Sequence, residues 1–174
     1  VTDELPWSVA TEVWLRTLLE TGTPIFGVCY GHQLLAKAAG GEVGYHPQGK
    51  EIGTVPIELL PAAQDDVIFG DLPSSFLAHV THSQTVLQLP PGATRLACNA
   101  FEPNHAYRLG EVAYGVQFHP EYSAAIMRSY IEQQADALTA AGRDVSAILD
   151  GVADTPVAAS LLHRFVAMVM HAAD

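Results

Sequence analysis

Positive charge is scarce in this sequence. Lys and Arg together number 8 against 19 Asp and Glu, a formal net charge of -11. Such a surface repels phosphate backbones and anionic headgroups, so neither nucleic acid nor a membrane surface is expected as a partner. Long apolar runs are also lacking, and none approaches the ~20 residues needed to span a bilayer. A basic leader is missing: the chain opens Val1-Thr2-Asp3-Glu4, acidic where a secretory signal is positive. Cysteine is limited to Cys29 and Cys98 with no C-x-x-C pair. No disulfide framework is implied, and a reducing cytoplasm fits. Internal repeats, low-complexity stretches and linkers are absent as well.

What is present suits a folded domain. The chain has 174 residues, 49% of them hydrophobic and 16% charged, which excludes disorder and allows one domain with a real core. Ser8 is placed to cap a helix running to about Glu20, with Val9, Val13, Leu15 and Leu19 near one face and Gly22 as the stop. Ile25-Phe26-Gly27-Val28 reads as a short buried parallel strand, and His32–Ala39 as the helix after it. Strands are expected near Gly53–Leu59, Phe76–Thr81, Arg95–Asn99 and Val112–Phe118, separated by breakers such as Pro90-Pro91-Gly92. Helices return over Ser123–Ala141 and from Thr155-Pro156 onward, where Val157, Leu161, Phe165, Met168 and Val169 form an apolar stripe. The expectation is one α/β domain over residues 1–174, with a catalytic part over 1–122 and C-terminal helices over 123–174. Its central sheet is expected to be mostly parallel, flanked by helices, with some antiparallel strands.

Two short segments carry chemistry. Gly27-Val28-Cys29-Tyr30-Gly31 is a G-x-C-x-G turn from strand to helix, the cysteine form of a nucleophile elbow. Glycines on either side spare the turn a Cβ clash, the helix dipole favours a thiolate, and the Tyr30 N–H points where an oxyanion would form. Taken alone, the pattern fits a buried cysteine in a tight turn equally well. Cys98 lies in an apolar strand without such a turn and reads as a core residue. The second segment, Val116-Gln117-Phe118-His119-Pro120-Glu121, ends a strand on a histidine. Imidazole is the base whose pKa suits a thiol near neutrality, and a carboxylate is needed to fix its tautomer. Alone, this reads as a strand-end histidine followed by an exposed glutamate. Both segments sit at C-terminal strand ends, where open α/β sheets place their sites. His79 and His82 form an H-x-x-H pair, but no third ligand has a matching spacing, and neither metal nor cofactor is expected.

Together, Gly-Val-Cys-Tyr-Gly-His-Gln and Gly-Val-Gln-Phe-His-Pro-Glu resemble the two signatures of class I glutamine amidotransferases. The resemblance is nearest to stand-alone proteins similar to the glutaminase domain of GMP synthetase. It covers about Pro24 to Tyr122. It implies a flavodoxin-like fold in which Cys29 is the nucleophile, His119 the acid/base and Glu121 its partner. Gly27 and Gly31 would shape the turn and the Tyr30 N–H would be an oxyanion donor. Gln33 would bind the amino-acid end of glutamine. Thr81-His82-Ser83-Gln84 matches a Ser-His-Gly-Asp-like turn that holds the substrate in relatives, with Ser83 and Gln84 standing for Gly and Asp.

The resemblance also implies parts that the chain does not supply. Relatives take a second oxyanion donor from a glycine-containing loop upstream of the nucleophile strand, and no such loop lies within Val1–Thr23. Further N-terminal residues are expected, about one βαβ unit or more, with Val1 near the Cys29 pocket and an unfilled position beside the strand of Phe26. GMP synthetase also needs an ATP-using domain, and no phosphate-binding Gly-rich loop occurs here. The expected function is glutamine hydrolysis that delivers ammonia to a separate synthase partner. Hydrolysis of another γ-glutamyl compound and a non-catalytic binding role are the alternatives.

Overall fold

The computed structural model describes residues 1–171. In chain order it places α1 (Pro6–Glu20), β1 (Ile25–Val28), α2 (Tyr30–Ala38), β2 (Glu42–Tyr45), β3 (Glu51–Leu59), β4 (Ser75–His82), β5 (Gln84–Gln88), β6 (Thr94–Cys98), β7 (Ala106–Leu109) and β8 (Ala113–Val116). Helices α3 (Ala124–Gln133), α4 (Ala135–Ala140), α5 (Val145–Asp150) and α6 (Pro156–His171) follow. The main sheet runs β1-β8-β7-β6-β3-β4, and β2 pairs with β5 in a small second sheet.

The α/β class with flanking helices is as expected, but the sheet is mixed. Only β1 and β8 pair in parallel, while β8/β7, β7/β6, β6/β3 and β3/β4 are antiparallel. The expected predominance of parallel pairing is therefore corrected. A parallel pair needs a crossover of a dozen or more residues, and Gly110–Val112 between β7 and β8 is far too short for one. Strand β1 lies at one edge of the sheet, with β8 as its neighbour.

Every residue of β8 is buried, because both faces of the sheet there are covered. On one face α6 contributes Ala158 and Leu161 to a core with Ile57, Phe69, Leu96, Tyr114 and Phe118. On the other, Leu35 and Ala36 of α2 pack with Val86 and Tyr107. Each large apolar side chain so buried contributes about 1.5–3 kcal/mol.

Local differences from expectation have local causes. Pro6 starts α1 two residues before the expected cap, since its missing N–H costs nothing at that position. Ser8 then lies inside the helix and is buried with Glu12 and Leu15, whereas Val9 and Val13 are exposed. Leu15 and Leu19 of the expected face do pack against α2, while Ser8 and Glu12 take the buried positions expected of Val9 and Val13. The helix expected over Ser123–Ala141 starts at Ala124, capped by the Ser123 side chain, which accepts from the Ile126 N–H. It breaks at Gln134 (φ -104°, ψ 6°) into α3 and α4.

Candidate active site

The parallel register brings the two motifs together. Val28 lies opposite Val116, so Cys29 and the Gln117–His119 segment leave the sheet side by side at the same end. The Cys29 N–H donates to Val116 O at 2.8 Å, and the His119 N–H donates to His79 O on β4 at 2.8 Å. The turn at Cys29 is sharp, with φ 48° and ψ -99°. A non-glycine residue held there costs about 1–3 kcal/mol. Cys29 is immediately followed by the first turn of α2, whose leading amides have no intrahelical acceptor.

The two flanking glycines are not equivalent. A Cβ on Gly27 would lie 2.7 Å from the Gly31 carbonyl oxygen, whereas one on Gly31 would meet nothing within 4 Å. The expectation that both prevent a clash is corrected: only Gly27 does so. Tyr30 turns its ring toward α1, where its hydroxyl donates to Ser8 Oγ at 2.7 Å.

His119 is buried and its Nδ1 lies 2.7 Å from Glu121 Oε1. This contact fixes the ring and leaves Nε2, which has no hydrogen-bond partner of regular geometry among the described residues. Burial lowers the His119 pKa, but the nearness of Cys29 and Glu121 outweighs it and raises the pKa to about 9. The ring is thus cationic at neutral pH, a suitable counter-charge for a thiolate. The Tyr122 ring stacks on it with centroids 4.0 Å apart.

A cavity of about 430 Å³ opens beside Cys29. Tyr30, Gln33, His82, Ser83 and Gln84 line it, as do Val1, Asp3 and Tyr45. Thr81 does not, and faces Ile52 across β3 and β4. Gln33 reaches the cavity with its Nε2 already engaged, donating to Gln84 O at 2.7 Å and to Gln117 Oε1 at 2.9 Å. His82 is buried, with Nε2 2.9 Å from Glu51 Oε2. The Gln84 side chain is held by the first residues of the chain: its Oε1 accepts from the Val1 amine at 3.2 Å, and its Nε2 donates to Thr2 Oγ1 at 2.9 Å.

One residue here escaped the sequence reading. Gln117 is fully buried and its Nε2 donates toward Cys29 Sγ at 3.5 Å. It stands two residues before His119, where the chain bends just past β8, and its place inside the motif was the signal available. Cys98 lies on β6 opposite Glu58, away from the cavity. Burial, aided by Glu58, pushes its thiol pKa up. Among the described residues, no group of three or more His, Cys, Asp or Glu could hold a metal ion, and no helix is long and apolar enough to cross a membrane.

Comparison with known proteins bears on the family and the fold. The profile of the family described as "Glutamine amidotransferase class-I" matches residues 8–136. A GMP synthase (glutamine-hydrolyzing) of Aeropyrum pernix is 41% identical over 115 residues, covering 66% of this chain and 22% of that protein. One subunit of the GMP synthase (glutamine-hydrolyzing) of Pyrococcus abyssi is 42% identical over 103 residues, covering 59% of this chain and 53% of that relative. The chain therefore spans only part of the length of these curated relatives. A solved glutamine amidotransferase of Thermotoga maritima superposes with a TM-score of 0.78 at 28% identity, covering 94% of this chain and 70% of that one.

Proposed function

The chain belongs to the class-I glutamine amidotransferase family, and from that premise we propose that it hydrolyses the side-chain amide of glutamine through a thioester on Cys29. The observation that carries this reading is His119, held by Glu121 at 2.7 Å and kept cationic at neutral pH beside Cys29.

In the proposed reaction the Cys29 thiolate attacks the γ-carboxamide carbon of glutamine. The carbonyl electrons move onto oxygen, facing the Tyr30 N–H at the start of α2. The His119 imidazolium gives its Nε2 proton to the amide nitrogen, and the C–N bond breaks to release ammonia. The neutral imidazole then takes a proton from water as the water attacks the thioester. The C–S bond breaks, restoring the thiolate and releasing glutamate. Glu121 holds the His119 ring throughout and stabilises its cationic form. Gln117 Nε2 gives the sulfur a hydrogen-bond donor at 3.5 Å.

Gln33, Ser83 and Gln84 are proposed to hold the amino-acid end of glutamine, since they line the same cavity as Cys29. Relatives named as single subunits of GMP synthase suggest a separate ammonia-accepting synthase as the partner. A reactive thiol in the site favours a reducing, cytoplasmic setting.

The test is release of glutamate and ammonia from glutamine, measured beside a γ-glutamyl dipeptide, with and without a candidate synthase. Turnover of glutamine that disappears in Cys29→Ala supports the proposal. Turnover that survives in Cys29→Ala, or that is confined to the dipeptide, contradicts it.

A further inference from the structure

Beneath the cavity lies a buried polar cluster that the reaction above does not use. Glu51 on β3 and His82 on β4 face each other across the strands, and His82 Nε2 lies 2.9 Å from Glu51 Oε2. Asn99 Nδ2 donates to the other Glu51 oxygen at 2.8 Å. The second nitrogen of His82, Nδ1, lies 3.1 Å from Gln84 O. A backbone carbonyl only accepts, and so does a carboxylate. His82 therefore donates from Nδ1 to Gln84 O, and its ring is held at both nitrogens, between that carbonyl and the buried Glu51 carboxyl group.

Other titratable groups pack around this pair. His105, just before β7, brings Nε2 to 3.4 Å from the same Glu51 oxygen. His32 on α2 is fully buried, and burial lowers its pKa to about 3, so it adds no charge. Burial alone would raise the Glu51 pKa, but His105, His82 and Asn99 outweigh it and hold the carboxyl at about 2.

The pair acts on the cavity wall. Gln84 O receives the His82 Nδ1–H and, at 2.7 Å, the Gln33 Nε2–H. Gln33 in turn reaches Gln117, which reaches Cys29 Sγ. Ser83, at the corner between β4 and β5, is tied by its carbonyl to the His46 N–H at 2.8 Å.

The geometry points to Glu51 as a positioning residue. Its carboxylate holds His82, which fixes the Gln84 carbonyl and so the wall formed by Gln33, Ser83 and Gln84 in the cavity of the nucleophile. This inference rests on the proposed glutaminase reading for its effect on substrate, but not for the Glu51–His82 contact itself. Glu51→Gln keeps the size of the side chain but removes the carboxylate that holds His82 Nε2 at 2.9 Å, so it should loosen the ring and the wall.

The experiment has two arms. Imidazole ¹⁵N NMR on the wild-type chain should show hydrogen on His82 Nδ1, and Glu51→Gln should shift the His82 ring signals. In glutaminase kinetics Glu51→Gln should raise KM roughly tenfold with kcat held within about threefold, the signature of lost ground-state positioning. Alkylation of Cys29 by iodoacetamide, which needs no cavity wall, should change by less than about twofold. Glu51→Asp keeps the charge and should recover part of the KM loss; it carries the comparison if Glu51→Gln does not fold. His82 ring signals that Glu51→Gln leaves unchanged overturn the inference. So does an unchanged KM, or kcat and alkylation falling together with KM. A wild-type chain that does not turn over glutamine refutes the glutaminase reading, and the NMR arm then decides whether Glu51 holds His82.

Discussion

At Cys29 the backbone and the chemistry make opposite demands. With φ 48° and ψ -99°, the position suits glycine, yet it holds a side chain. The stored strain is measurable: Cys29→Gly should be more stable than Cys29→Ala by about 1 kcal/mol or more in denaturant unfolding. The reverse order would mean that the turn is relaxed. The two thiols should also part ways. Limiting iodoacetamide followed by peptide mass spectrometry should mark Cys29 well before Cys98, whose pKa burial raises. Preferential marking of Cys98 would remove the basis for the nucleophile assignment.

For His119, loss of the imidazole in His119→Ala should cost about 10²–10⁴ in kcat, and Glu121→Gln should cost less. The pKa of about 9 sets a sign. The imidazolium is the acid that releases ammonia, so turnover should fall as pH rises through about 9. The raised value also links to folding: the contribution is fully present below the ordinary histidine pKa of about 6.5 and is lost as pH rises through about 9. Activity that keeps rising beyond pH 10 would show that another group is the acid.

The strand-turn-helix unit β1–Cys29–α2 was legible because its punctuation is chemical: a short apolar run, two glycines and a helical pattern. Its steric detail was not, since clash depends on the path the helix takes after the turn. Gly27→Ala should destabilise the fold by about 1–3 kcal/mol, because the new Cβ falls 2.7 Å from the Gly31 carbonyl oxygen. Gly31→Ala should be tolerated within about 0.5 kcal/mol. Thermal unfolding of both variants checks the pair, and equal losses would contradict this asymmetry. Elsewhere, β2, β5 and β7 were invisible in the sequence. They span Glu42–Tyr45, Gln84–Gln88 and Ala106–Leu109, too short for an alternation to stand out. Helix α1 was found, but its buried face was assigned by hydrophobicity. Leu15 and Leu19 dock as expected, but the rest of the contact runs through Ser8 to Tyr30 and through Glu12, whose Oε2 lies 3.7 Å from Lys37 Nζ.

Across the whole molecule, the sequence revealed the pieces of the site but not what joins them. Cys29 and His119 could be paired through their motifs, and the parallel register of Val28 with Val116 is the physical reason they meet. Glu51 belongs to neither motif and is brought to His82 only by the antiparallel register of β3 and β4. Strand direction is not written in the composition of a strand, which is why the sheet was expected to be mostly parallel. Global stability should report the buried pair. Glu51 has its pKa lowered to about 2, so its contribution is present above about 4.5 and is lost as pH falls through about 2. Acid unfolding monitored by circular dichroism should show wild type losing its advantage over Glu51→Gln across that window. A constant difference between them from pH 7 to pH 2 would show that the carboxylate adds nothing through its charge.

The central claim is that glutamine is attacked by Cys29, and a diazo-ketone analogue of glutamine tests it most directly. Such a reagent needs both a nucleophile and a pocket that accepts the amino-acid end. After incubation at pH 7.5, peptide mapping should find one adduct, on Cys29, prevented by excess glutamine and strongly slowed in His119→Ala. An adduct on Cys98, labelling indifferent to glutamine, or no adduct on a folded protein would contradict it.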